Sequence, residues 1–187
     1  MTALNQLVEW IEAQEKRGET NRTEHQVAWK APPEGKIKIN VDAGWTGTNS
    51  TGFGFVARSH TGALLAAGTL FQEHRLEPLT AEALALRWSM QQASELGMDS
   101  VLFESDSLSV IKSLRAESNY WTIQDITLDC LHLADNFLSC SFSHVTRKAN
   151  VPAHILASLA CKYQNRLWWD APPAEIDHSL FADAAFS

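Results

Sequence analysis

Three strand-like segments in succession, followed at once by one long helix, constrain this chain more than any other feature. Lys36 to Val41 alternates Ile37, Ile39 and Val41 with Lys36, Lys38 and Asn40, the two-residue period of a half-buried strand, and delivers Asp42 at its end. Thr51 to Arg58 and Ala63 to Leu70 read as two further strands, joined as a hairpin through His60-Thr61-Gly62. Pro78-Leu79-Thr80 then opens a helix carrying Leu84, Leu86, Trp88, Met90 and Leu96, with Glu82 in its first turn and Gly97 placed to end it.

The pattern continues in the second half. Ser100 to Glu104 is a short apolar strand, and Asp106-Ser107 caps a helix carrying Leu108, Val110, Ile111 and Leu114. Tyr120 to Phe137 reads as another helix, Ser139 to Val145 as a fifth strand and Val151 to Tyr163 as a last helix. The expected architecture is α/β, a five-stranded mixed sheet flanked by helices in the order βββαβααβα. A chain of 187 residues with 45% hydrophobic content suits one domain. The break at Pro32-Pro33-Glu34-Gly35 marks where it begins, so residues 29–166 form the domain. Residues 1–28 supply an N-terminal amphipathic helix, with Leu4, Leu7, Val8 and Ile11 at helical spacing, and a linker; its apolar face fits a protein partner or the domain itself. Residues 167–187 form an acidic tail that Trp168-Trp169, ahead of Pro172-Pro173, docks back on the domain.

Cys130, Cys140 and Cys161 are odd in number, widely spaced and set in apolar runs, which fits reduced core thiols and not a disulfide framework or a zinc site. No basic cap precedes an apolar run at the N-terminus, and no window approaches the roughly 18 apolar residues of a membrane span. The expectation is a cytoplasmic protein, with the nucleus as the alternative and no membrane contact. A net charge of −7 argues against a strongly basic nucleic-acid binder. Much of it lies in the tail, where Asp170, Glu175, Asp177 and Asp183 stand without Lys or Arg, and metal ions at an acidic site would invert the local field.

Four segments each put a metal-ligating side chain near the end of an element: Asp42 after Ile39-Asn40-Val41, Glu82 in Thr80-Ala81-Glu82, Asp106 after Phe103-Glu104-Ser105, and His154 after Asn150-Val151-Pro152-Ala153. Singly, each has an ordinary explanation as a turn residue, a helix cap or a dipole partner. Their order and context resemble ribonuclease H over about residues 29 to 165. The likeness is greatest to the plant branch related to retroelement domains, whose opening is similar to Trp29-Lys30-Ala31-Pro32-Pro33 through Asn40-Val41-Asp42 and whose closing motif is similar to Arg147-Lys148-Ala149-Asn150-Val151-Pro152-Ala153-His154.

That resemblance implies a ribonuclease H-like fold and two-metal hydrolysis of a phosphodiester, with oxygen-rich ligands suited to two ions of Mg²⁺ or Mn²⁺. It implies that Asp42 and Asp106 bind or bridge the metals, that Glu82 binds the second one near the substrate 2′-hydroxyl, and that His144 matches a mobile histidine concerned with proton handling or product departure. His154 stands where the family commonly has Asp, and Ala43 where Gly commonly follows the first Asp. Trp45, Arg147, Lys148 and Asn150 are the candidate nucleic-acid contacts, and Lys162 and Arg166 extend the basic cluster.

Such a site reads duplex shape and 2′-hydroxyls, so low sequence specificity is expected. Members that prefer RNA/DNA hybrids often carry a basic helix between the third and fourth ligands. Here Asn119 to Asp135 offers Asp125, Asp129 and Asp135 and no Lys or Arg. Double-stranded RNA, including viral replication intermediates, thereby competes evenly with RNA/DNA hybrid as the expected partner. The rival reading is a catalytically silent RNA-binding or protein-binding module, motivated by His154 and the acidic balance. A related 3′-to-5′ exonuclease would carry Glu two residues after the first Asp, where this chain has Gly44.

Overall fold

The computed structural model describes residues 28–169 and 171–184. The expected N-terminal helix falls outside them. The elements run β1 (Ile37–Trp45), β2 (Thr51–Arg58), β3 (Leu64–Gln72), α1 (Pro78–Glu95), β4 (Ser100–Ser105), α2 (Leu108–Leu114), α3 (Gln124–Ala134), β5 (Ser139–His144), α4 (Val151–Tyr163), β6 (Arg166–Trp168) and α5 (Asp177–Ala184). They build one mixed sheet in the order β5-β4-β1-β2-β3-β6, with β1 antiparallel to β2 and parallel to β4. No helix among the described residues is long and apolar enough to cross a membrane.

The α/β class and the order of the first nine elements agree with the sequence reading; the strand count does not. A sixth strand, β6, pairs antiparallel with β3 through Ala67–Trp168, Gly68–Leu167 and Thr69–Arg166. Three residues are too few to show a period, so only the pairing reveals this strand. Of the tryptophan pair expected to dock the tail, Trp168 packs with Val56, Ala67, Leu156 and Ile176 in a second core cluster, whereas Trp169 is exposed. The helix expected from Tyr120 to Phe137 is shorter, because Trp121–Ile123 is a 3₁₀ turn and α3 ends at Ala134.

Ile39 and Val41 join the main core, which packs under α1 with Phe53, Phe55, Leu86, Met90 and Phe103. Alternation makes the opposite face of β1 the solvent face of a half-buried strand, yet Lys38, Asn40 and Asp42 are 3%, 0% and 1% exposed. What covers the sheet there includes α4, which lies directly on β2. A Cβ on Gly52 or Gly54 would collide with the α4 backbone at Ala153 and Ala157, and Ala153, Ala157 and Ala160 are fully buried. Small residues on both surfaces therefore set the close approach that brings the start of α4 over β1.

The parallel pairing aligns the strand ends. Val41 pairs with Ser105, and Ser105 pairs with His144, so Asp42, Asp106 and the end of β5 emerge side by side. Gly97, at φ 70°, ends α1 as the sequence implies, with its N–H donating to Ser94 O and that of Met98 to Ala93 O.

Candidate metal centre

Asp42, Glu82 and Asp106 converge, each offering one carboxylate oxygen within 4.8 Å of the others. Asp42 comes from within β1, Asp106 from the β4–α2 junction and Glu82 from α1. Glu82 is the fifth residue of α1, one turn further in than expected, and the first turn holds no acidic residue. Its carboxylate accepts a hydrogen bond from the Ala43 N–H, which ties α1 to the end of β1. Asp106 is not the cap of α2. Ser107 holds the N-cap position without a side-chain cap bond, and its N–H donates to Ser105 Oγ, which leaves the Asp106 carboxylate to face the cluster.

The cluster is short of positive charge. Burial first, and the charges of Asp42 and Asp106 second, push the Glu82 carboxyl well above the usual carboxylate range, against the opposing pull of the Ala43 N–H and Arg147. Asp106 is pushed up to about 6 by burial, by the Asp42 charge and by a hydrogen bond with Asp42, again opposed by Arg147. Asp42 Oδ1 and Glu82 Oε2 are buried without a hydrogen-bond partner. Three hard carboxylates with two orphaned buried oxygens fit a hard divalent cation, because nothing else on the described chain satisfies those lone pairs.

His154 reaches this centre from the first turn of α4, but it lies outside the group of three mutually close ligands. Its Nδ1 is 2.8 Å from Asp42 Oδ2, and Arg147 Nη2 is 3.0 Å from Nδ1 and 2.9 Å from Nε2. Arg147 Nη1 also stands 3.7 Å from Asp106 Oδ2. Here the histidine is a hydrogen-bond partner of one ligand, at the place the sequence reading gave to a fourth. His144 is half-buried at the end of β5, in register with Ser105. Lys148 is exposed beside Arg147 on the 3₁₀ turn Arg147–Ala149.

Asn150 corrects the list of nucleic-acid contacts. It is fully buried, and its Nδ2 donates to Val41 O at 2.9 Å, pinning the start of α4 to β1 one residue before Asp42. Trp45 is 49% exposed, but its indole N–H donates to Leu76 O, and the Arg75 guanidinium stacks 3.4 Å from its ring centroid. Thr51 closes the same loop, donating to His74 O and accepting from Leu76 N–H. Trp45 and Thr51 thereby fix the segment that leads into α1 and Glu82. Sequence reasoning missed Arg75 and Thr51, since no local pattern links either to Trp45.

Comparison with known proteins agrees with the fold. No curated protein matches the chain by sequence. Among solved structures, RNase H1 of the halophilic archaeon Halobacterium salinarum superposes with a TM-score of 0.64 at 24% identity, over 68% of this chain and 98% of that one. The N-terminal RNase H domain of a Mycobacterium tuberculosis protein gives 0.60 at 23% identity, over 68% and 94%. LC11-RNase H1, solved in complex with an RNA/DNA hybrid, gives 0.57 at 20% identity, over 64% and 92%. These likenesses establish the fold. The sequence pattern of the Reverse transcriptase-like family matches residues 40–160, a span that holds Asp42, Glu82, Asp106 and His154, and with the ribonuclease H-like fold around it the chain belongs to that family.

Proposed function

We propose that the protein is a metal-dependent endoribonuclease that hydrolyses phosphodiesters of duplex RNA. The convergence of Asp42, Glu82 and Asp106, with two buried oxygens left unsatisfied, carries this reading. Two divalent ions held there, Mg²⁺ or Mn²⁺, would supply an activated water and relieve charge on the leaving oxygen. The protein's part is to hold the ligands in place: Ala43 N–H orients Glu82, and His154 orients Asp42. His144, beside Ser105 at the mouth, takes the proton-handling role. Exposed Arg147 and Lys148 contact phosphates, with Trp45 at the other flank.

Double-stranded RNA is the preferred substrate in this proposal, and the RNA strand of an RNA/DNA hybrid the second. No Lys or Arg occurs from Ala116 to Thr146, so α3 presents Asp125 and Asp129, with Asp135 at its C-cap, and Asp129 is already paired with Arg87 at 2.7 Å. LC11-RNase H1 binds a hybrid with the same fold, so fold alone does not choose. The test is cleavage of matched RNA/RNA, RNA/DNA and DNA/DNA duplexes in Mg²⁺ and in Mn²⁺. Cleavage of RNA-containing duplexes only, RNA/RNA fastest, is expected. Absence of cleavage by folded, metal-loaded protein would instead favour a silent binding module.

A further inference from the structure

Arg147 does more at this centre than wait for a phosphate. A carboxylate only accepts hydrogen bonds, so the 2.8 Å contact between Asp42 Oδ2 and His154 Nδ1 places the ring proton on Nδ1. Arg147 Nη2 lies 3.0 Å from Nδ1 and 2.9 Å from Nε2, near-equal distances that set the guanidinium against the imidazole face and not on the in-plane lone pair of Nε2. The guanidinium thereby covers the ring that is hydrogen-bonded to Asp42. The other arm of Arg147 lies 3.7 Å from Asp106, and its charge draws down the raised carboxyls of both Asp106 and Glu82.

We propose that Arg147 is an internal counter-cation of the metal-free centre, bridging Asp106 and the Asp42–His154 pair, and that it gives up this place when divalent metal enters. This rests on reading the three carboxylates as a metal centre. The guanidinium is well suited to leave: its side chain is 64% exposed and comes from a three-residue 3₁₀ turn, whereas Asn150, next along, is buried and fixed to β1. Release uncovers the His154 ring and frees the guanidinium for a substrate phosphate. Metal and Arg147 thus compete for one field, and a bound nucleic acid favours the metal by drawing the guanidinium away.

The experiment is calorimetric titration of Mn²⁺ into nucleic-acid-free wild type, Arg147→Ala and Arg147→Lys, with melting of each in chelator and in saturating Mn²⁺. Arg147→Ala should bind Mn²⁺ about 3- to 10-fold more tightly, the scale of removing one nearby exposed cation from the path of a doubly charged ion. Arg147→Lys, which keeps the charge, should remain closer to wild type. In chelator Arg147→Ala should melt below wild type, and in Mn²⁺ that gap should close. Unchanged or weaker Mn²⁺ affinity in Arg147→Ala, or an equal melting gap in both buffers, overturns the proposal. Cleavage is read separately: cleaving protein with no affinity shift sinks only the counter-cation, and an affinity shift without cleavage sinks only the hydrolase.

Discussion

Lys38, Asn40 and Asp42 project from one face of β1, yet the two ends of that row are finished in opposite ways. At the Lys38 end every charge meets another. Lys38 pairs with Glu104 at 2.7 Å, and Asn40 donates to the second Glu104 oxygen at 3.0 Å. Asn40 Oδ1 accepts from both Trp29 Nε1 and Arg58 Nη2, while Arg58 pairs with Asp183 of α5 at 2.7 Å. Trp29 also lies under the Arg58 guanidinium, 3.7 Å from ring centroid to Cζ. Burial still pushes the Glu104 carboxyl up, with Lys38 and Asn40 drawing it back. At the Asp42 end three carboxylates face one another with, among the described residues, a single exposed arginine in reach. A buried charge is tolerated only when paired, so the unpaired end marks where something outside the polypeptide belongs.

The largest test of this contrast is Asp42→Asn. It keeps the shape of the side chain and removes charge from the centre, so cleavage should fall well beyond the roughly 100-fold typical of partners one step removed from a metal. Circular dichroism should show an intact fold, and unchanged cleavage would break the account of the open end. Glu104→Gln probes the closed end. It strands Lys38 in the interior and should cost about 3–5 kcal/mol in urea unfolding. A cost near zero would show that the closed end is not held by that pair.

The next effect is a pH dependence. Asp106 binds its proton more tightly in the folded, metal-free protein than in the unfolded chain, so its contribution favours folding below its ordinary value of 3.8 and is lost as pH rises to about 6. Asp106→Asn removes this penalty. In chelator the variant should gain on wild type in melting temperature as pH rises through that window and keep a constant lead above it. A difference that does not vary with pH contradicts the crowding of carboxylates. Smallest is Trp29→Phe, which deletes one of two hydrogen bonds to Asn40 and should cost about 1 kcal/mol by urea unfolding. A loss several times larger would mean that Trp29 organises the closed end and does not merely seal it.

The sequence makes some of this visible. Alternation exposes β1, the Pro78 start and the Gly97 stop bracket α1, and the three carboxylates are legible because each reads as lying near the end of an element, although Asp42 falls within β1 and Glu82 beyond the first turn of α1. Phe103-Glu104-Ser105-Asp106 holds two acidic residues on one face, and only resemblance selects Asp106 in advance. The structure supplies the reason, because Lys38 neutralises Glu104. The closed end itself is hidden, since alternating Lys38 and Asn40 look like a solvent face until α4 and the tail are placed. Trp121–Ile123 looks like helix because a 3₁₀ turn also brings apolar residues round three apart. Asn150 looks like a surface contact because its partner, Val41 O, lies 109 residues away.

The central claim, that the open end of the β1 row is a divalent-metal centre, is tested most directly by thermal melting of wild type and Asp42→Asn at increasing Mn²⁺. Binding that favours the folded state should raise wild-type stability by about 2.7 kcal/mol at 100 times the dissociation constant, with a matching rise in melting temperature. Asp42→Asn should show no such rise over the same concentrations. A wild-type melting temperature indifferent to Mn²⁺, or a variant that rises equally, would contradict the account.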